Sequence, residues 1–146
     1  MKINPKLGID QLLFGMKQKD VVALYGKPDK QFNDEDQNVI YLYNTKMVRI
    51  TFYSEEELKL GYLICSNPDL ELNGKKVIGK KINELKQDLK DKSFTEWEHE
   101  DFDSLENHFN EANWLIFQTE FNHVVKVELG AIINNKDEFD WQFNSK

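Results

Sequence analysis

Apolar positions recur with two different periods along this chain, and the change of period marks its elements. In the segment FGMKQKDVVALYGKPD, Phe14 to Asp29, the residues Met16, Val21 and Leu24/Tyr25 recur at near-helical spacing. Asp20 lies early in the segment, and Gly26 followed by Pro28 stops it, so a short amphipathic helix over about residues 17–25 is predicted. A polar stretch follows, Phe32 to Asn38, and then a period of two takes over. Val39–Tyr43, Met47–Tyr53 and Leu58–Cys65 are β-rich runs joined by Asn44-Thr45-Lys46 and Ser54-Glu55-Glu56-Glu57. Links this short require antiparallel neighbours, because a parallel crossover takes about a dozen residues or more. Within Met47–Tyr53, Val48, Ile50 and Phe52 alternate with Met47, Arg49, Thr51 and Tyr53, the pattern of one buried and one exposed face.

The same succession then recurs. Asn73-Gly74 marks a turn, Gly79 precedes a lysine-rich helical pattern with Ile82, Leu85 and Leu89 on one face, and Ser93–His99 reads as extended. Three further β-rich runs follow, Leu105–Phe109, Trp114–Phe121 and Val124–Ile133. At an offset of 64, Gly15 falls on Gly79, Asp20 on Glu84, Val21 on Leu85 and Tyr25 on Leu89; at 67, Val48, Ile50 and Phe52 fall on Leu115, Phe117 and Thr119. The same larger offset sets Leu58, Leu60 and Tyr62 against Val125, Val127 and Leu129, so Val125 is expected inside and Val124 outside. The chain therefore reads as one α+β domain of two tandem units, 8–68 and 74–133, with a tail over 134–146. About eight antiparallel strands should form one sheet, with the helices on one face and the other face open.

Gly15, Met16, Val21, Gly26 and Pro28 spell G-M-x4-V-x4-G-x-P. This resembles the motif of the β-lactamase-inhibitor-protein-like superfamily, which includes the SmpA/OmlA outer-membrane assembly lipoproteins. The resemblance implies two tandem helix-plus-four-strand units forming one curved sheet, and a protein that works by binding another. Bacterial immunity proteins, small acidic inhibitors of a cognate toxin, are the best fit in size, charge and compartment. The alternatives are an assembly scaffold similar to the SmpA/OmlA group and a small-molecule-binding domain.

Composition narrows the chemistry. With 146 residues, 40% of them apolar, the chain can bury one sizeable core, and its formal charge of −7 repels a phosphate backbone. Nucleic acid is not an expected partner, and no run approaches the roughly 20 apolar residues of a membrane-spanning helix. The N-terminal segment MKINPKLGID has no secretory apolar region, so a cytoplasmic location is expected. The single cysteine, Cys65, rules out an intramolecular disulfide framework and sits in an apolar strand pattern. His99, His108 and His123 match no metal-ligand spacing; no serine lies in a nucleophile motif and no glycine-rich phosphate loop occurs. Neither enzymatic chemistry nor a metal or other cofactor is expected.

Two surfaces remain as candidates. Phe94–Glu111 carries seven carboxylates and no lysine or arginine. Its Glu98, Glu100, Asp101 and Asp103 form a candidate patch for a basic protein, a toxin or enzyme, with Trp97 as anchor. The lysines of Lys75–Lys92 are expected to pair with this acidic segment. The second surface is the open sheet face, where Tyr41, Tyr43, Arg49, Tyr53 and Trp114 would make an aromatic platform around the chain's single arginine. The alternation in Ile40-Tyr41-Leu42-Tyr43 also permits the opposite assignment, with both tyrosines in the core. In the tail, Phe139, Trp141 and Phe143 alternate with polar residues, as in an extra edge strand that buries them or a docking segment used in self-association or partner binding.

Overall fold

The computed structural model describes residues 1–143. Two helices, α1 (Gln18–Tyr25) and α2 (Ile82–Leu89), each precede a run of four strands. The first run is β1 (Lys30–Asn33), β2 (Val39–Tyr43), β3 (Val48–Tyr53) and β4 (Lys59–Cys65). The second is β5 (Glu98–Phe102), β6 (Leu105–Asn110), β7 (Leu115–Glu120) and β8 (His123–Gly130). All eight make one antiparallel sheet in the order β5-β6-β7-β8-β4-β3-β2-β1. Each run is a meander, and the last strand of one pairs with the last strand of the other.

The local chemistry of α1 follows its sequence. The Lys17 N–H donates to the Asp20 carboxylate at 2.9 Å, which satisfies one of the free donors at the helix start. Gly26 ends the helix at φ 79°, a left-handed value that a side chain disfavours, and its N–H donates to the Val22 carbonyl at 2.8 Å. Val21 is fully buried, whereas Leu24, expected inside, is 39% exposed. In α2 the face of Ile82, Leu85 and Leu89 is buried as its spacing predicts.

Both helices cover one face of the sheet. Gln18 of α1 donates to the Tyr41 hydroxyl at 2.9 Å, and Lys86 of α2 lies 2.9 Å from His108 of β6. On that face, Tyr41, Ile50, Leu63, Leu129, Leu115 and Asn110 are successive partners across six strands. Short ladders that the periodicity did not predict complete the cover. Ile3–Asn4, Gly8–Ile9 and Leu12–Leu13 form a small three-stranded sheet, and Glu71–Leu72 with Lys75–Lys76 form a hairpin around Asn73-Gly74. Ile3, Ile9, Leu12 and Phe14 from the first, and Leu70, Leu72 and Val77 around the second, join the helices and the sheet in one core.

A bulge corrects one expected inside–outside assignment. Gln118 pairs with Lys126 but Thr119 pairs with Val124, so Val125 is the extra residue and points out, 37% exposed, while Val124 is buried. In the first half Thr51 pairs with Tyr62 and Phe52 with Leu60, which makes Gly61 the extra residue. Beside each bulge the chain entering a helix is clamped to a strand. The Gly15 N–H donates to the Leu60 carbonyl and the Leu60 N–H to the Met16 carbonyl; 64 residues later Gly79, Val124 and Lys80 make the same pair of bonds.

The tail does not add a strand to the sheet. It folds back through an isolated bridge between Ile133 and Phe139, and the Gln142 and Phe143 N–H groups then reach the Phe14 carbonyl. Phe139, Trp141 and Phe143 are half-buried against the core, so the expected burial of these aromatics holds without the edge strand; residues 144–146 of the tail lie outside the described residues. Truncating a buried leucine to alanine removes transfer energy and leaves a cavity. Leu85→Ala should therefore lower unfolding free energy by about 2–5 kcal/mol in urea titration, and Leu24→Ala by less than about 0.5 kcal/mol.

Candidate functional site

Neither helix covers the second face of the sheet, and one row of side chains crosses it from edge to edge. Successive register partners give Lys30, Leu42, Arg49, Ile64, Glu128, Ile116, Phe109 and Glu98. At a strand spacing of about 4.8 Å this row is roughly 34 Å long. Ile64, Ile116 and Phe109, along its middle, are half-buried, and Arg49 is exposed. The Arg49 guanidinium and the Lys30 ammonium both lie 5.6 Å from the Phe32 ring centre, a cation–π arrangement. One end of the row is thus basic and the other, at Glu98, is acidic.

Two glycines set aromatic rings flat against this face. Gly130 lies under the Trp114 indole and Gly61 under the Tyr53 ring, and a Cβ at either position would collide with the ring above it. Trp114 meets Phe109 edge to face at 5.0 Å, and Tyr53 is capped by Phe139 at 5.6 Å. Across the seam between β4 and β8, the Tyr62 hydroxyl donates to the Glu128 carboxylate at 2.6 Å. Burial and that carboxylate raise the Tyr62 phenol far above its ordinary range. Arg49, Tyr53 and Trp114 are therefore on the face where the alternation predicts them.

Tyr41 and Tyr43 are not. Both are buried on the helix side, where Tyr43 donates to the Gly26 carbonyl at 2.8 Å and Tyr41 packs edge to face on Phe52 at 4.9 Å. A phenol suits this position because its ring fills the core while its oxygen satisfies a polar group of α1 or of the turn behind it. Ile40 and Leu42 take the opposite face. Trp97 is half-buried against the core on the helix side, in place of the expected exposed anchor: it stacks on Phe117 at 5.6 Å, under the Lys86 ammonium, and its indole N–H donates to the Phe94 carbonyl at 3.2 Å.

The acidic segment also divides. Strand β5 runs along the sheet edge with every residue exposed, and alternation sends Glu98 and Glu100 to the open face, beside a hollow of about 240 Å³ shared with Asn107, Phe109 and Ile116. Asp101 points to the helix side and Asp103 sits in the turn at φ 54°. The expected pairing with the lysine-rich helix reduces to Lys86, which faces His108; Lys75 pairs with Asp88 and Lys76 with Asp69, both at 3.3 Å.

On the helix side, the β5–β6 hairpin brings together residues that motif spacing left apart. His99 faces His108 and Asp101 faces Glu106 in direct register. The two imidazole rings are stacked at 4.8 Å, and ligand atoms of His99, Glu106 and His108 lie within 4.8 Å of one another. A signal existed in the sequence: His99, Asp101, Glu106 and His108 are symmetric about Asp103-Ser104, so a tight hairpin there superposes them. Burial first, then the Lys86 and His99 charges, hold the His108 imidazole down to about 4, so it is neutral.

The fold and its two faces define a mixed α+β protein with a large antiparallel sheet and two short helices. Two solved structures share this arrangement at low identity. An extracellular protein containing an SCP domain from Bacillus anthracis str. Ames matches with a TM-score of 0.50 and 11% identity over 86% of this chain. A cysteine-rich secretory protein from Staphylococcus aureus subsp. aureus Mu50 matches with a TM-score of 0.50 and 12% identity over 90%. The chain spans about half the length of each, 49% in both cases, and the likeness is one of fold alone. No family model and no curated protein matches the sequence. No helix among the described residues is long and apolar enough to cross a membrane.

The inward position of Tyr43 has a measurable consequence. Its phenol is raised to about 12, first by burial and then by the Tyr41 and Asp29 charges, so phenolate formation opposes folding and stability falls as pH rises from 10 towards 12. In an absorbance titration of the folded protein, Tyr43→Phe should remove one of the two phenols titrating near 12 and leave that of Tyr25.

Proposed function

We propose that this chain is a non-enzymatic protein-binding module whose open sheet face is the contact surface. The observation that carries the reading is the uncovered row from Lys30 to Glu98, with apolar side chains at its middle and opposite charges at its ends. An antiparallel sheet tolerates one solvated face, but that face is then normally polar. Here Ile64, Ile116, Phe109 and Trp114 interrupt it, as in the apolar centre and polar rim of an interface. The flat support of Trp114 on Gly130 suits a preorganised contact, since little side-chain freedom is lost on binding.

Within this reading the chain is an immunity or inhibitor protein that acts in the cytoplasm and occludes a basic toxin or enzyme. Glu98 and Glu100 on the open face supply the acidic rim; Tyr41, Tyr43 and Trp97 have no part in it. We further read the fold as two tandem helix-plus-four-strand units of the β-lactamase-inhibitor-protein-like kind. The paired clamps of Gly15 and Gly79, 64 residues apart, and the bulges beside them support that reading. A second reading, a module of an extracellular or envelope protein, is favoured by one observation: both similar structures are described as extracellular or secretory. The location of the partner separates the two.

Calorimetry against the product of the adjoining reading frame tests the proposal. Arg49→Glu and Ile64→Glu should each weaken binding at least about tenfold while leaving the circular dichroism spectrum unchanged. Full affinity in both variants would exclude the open face. Reversal of Glu98 and Glu100 to lysine should slow association severalfold and flatten its salt dependence, with little change in dissociation.

A further inference from the structure

We propose that His99, Glu106 and His108, with Asp101, form a binding site for a divalent transition-metal ion of the zinc type. The site lies on the helix side of the β5–β6 hairpin, away from the open face, so it stands or falls independently of the binding proposal. The Glu106 Oε2 atom is 3.2 Å from His99 Nε2 and 3.5 Å from His108 Nε2, and Asp101 Oδ1 is 3.0 Å from His99 Nε2. Tetrahedral zinc with bonds of about 2.0–2.1 Å to nitrogen and oxygen sets neighbouring ligand atoms about 3.3–3.4 Å apart. The backbone register thus holds three of the six spacings among the four ligand atoms at nearly the value that an ion requires, and the His99, Glu106 and His108 atoms all lie within 4.8 Å of one another. Two imidazoles and two carboxylates favour a zinc-type ion over calcium or magnesium, and the two carboxylates match its charge.

The individual residues fit that role. His108 is buried, so its ring is held in one orientation toward the cluster. Its Nε2 is aimed at Glu106, with the Thr119 hydroxyl 3.4 Å away. Its ring is packed in place, but His99 stands on the exposed edge strand with its side chain about half exposed. The two rings lie parallel, 8° apart, and an ion in the plane of both requires one to turn; His99 is the ring with room to do so.

Lys86 opposes the ion. Its ammonium donates to His108 Nδ1 at 2.9 Å, which leaves the ring proton on Nε2. For the ion to take Nε2, the Lys86 ammonium withdraws still protonated, the Nε2 proton passes to solvent and one from solvent binds Nδ1. His108 stays neutral throughout, and no net proton is released from it. Lys86 is therefore a cation standing where a metal-bound imidazole needs a hydrogen-bond acceptor for its other nitrogen, and its removal should strengthen the site.

Zinc titration of the intact protein by calorimetry, with cobalt absorption as a second readout, tests this. The expected result is one zinc ion bound at micromolar affinity, no calcium or magnesium binding, and the visible absorption of four-coordinate cobalt. Because His108 is in the core, the informative variants are the more exposed ones. His99→Ala and Glu106→Gln should each weaken zinc at least about tenfold, and Lys86→Met should tighten it severalfold. Absence of stoichiometric zinc binding, unchanged affinity in His99→Ala or Glu106→Gln, or failure of Lys86→Met to tighten binding would each overturn the assignment.

Discussion

The pairing of β4 with β8 is the constraint on which the rest of this structure depends. Four register pairs, Cys65 with Val127, Ile64 with Glu128, Leu63 with Leu129 and Tyr62 with Gly130, join two meanders into one eight-stranded sheet. On the helix side the seam is apolar, with Cys65, Leu63, Val127 and Leu129 all buried, and it fuses what α1 and α2 cover into one core. On the other side it carries Ile64 and the Tyr62–Glu128 hydrogen bond. The row that spans the open face exists only because this seam is in register. A slip of one residue would turn Leu63 and Leu129 to solvent and break the core and the row together.

One-sided cover explains why the two faces differ in chemistry. The helix side satisfies its polar atoms within the fold: Tyr41 with Gln18, Tyr43 with Gly26, and Asn110 with the Glu96 carbonyl at 3.1 Å. Among the described residues no buried side-chain nitrogen or oxygen lacks a partner. The open side instead spends its glycines, Gly61 and Gly130, on bringing aromatic rings close to the backbone. Such flat aromatic surface is suited to another protein. On the helix side the β5–β6 hairpin gathers His99, Asp101, Glu106 and His108, and along β5 the side chains of His99 and Asp101 stay accessible to solvent.

Much of this was legible in the sequence because the periods are strong. The helices are found from Val21 and from Ile82, Leu85 and Leu89, and β3 from the strict alternation of Val48, Ile50 and Phe52. The failures have specific physical causes. In Ile40-Tyr41-Leu42-Tyr43 both alternating sets are apolar enough to face inward, and the decision came from hydroxyl partners on α1 and at Gly26, which periodicity does not encode. Trp97 reads as a surface anchor among acids, yet it stacks on Phe117 of β7, the strand beyond β6. Val125 points outward, against the alternation, because a bulge shifts the register by one residue. The His99–Asp101–Glu106–His108 cluster depends on cross-strand register, which a search by linear ligand spacing does not test.

The central claim, that the open face is the contact surface, is tested most directly by cross-saturation NMR of the labelled protein in complex with its partner. Transfer should concentrate on Arg49, Ile64, Ile116 and Phe109, along the row that crosses the β4–β8 seam. Transfer concentrated instead on the exposed residues of α1 and α2, with the open face silent, would contradict it.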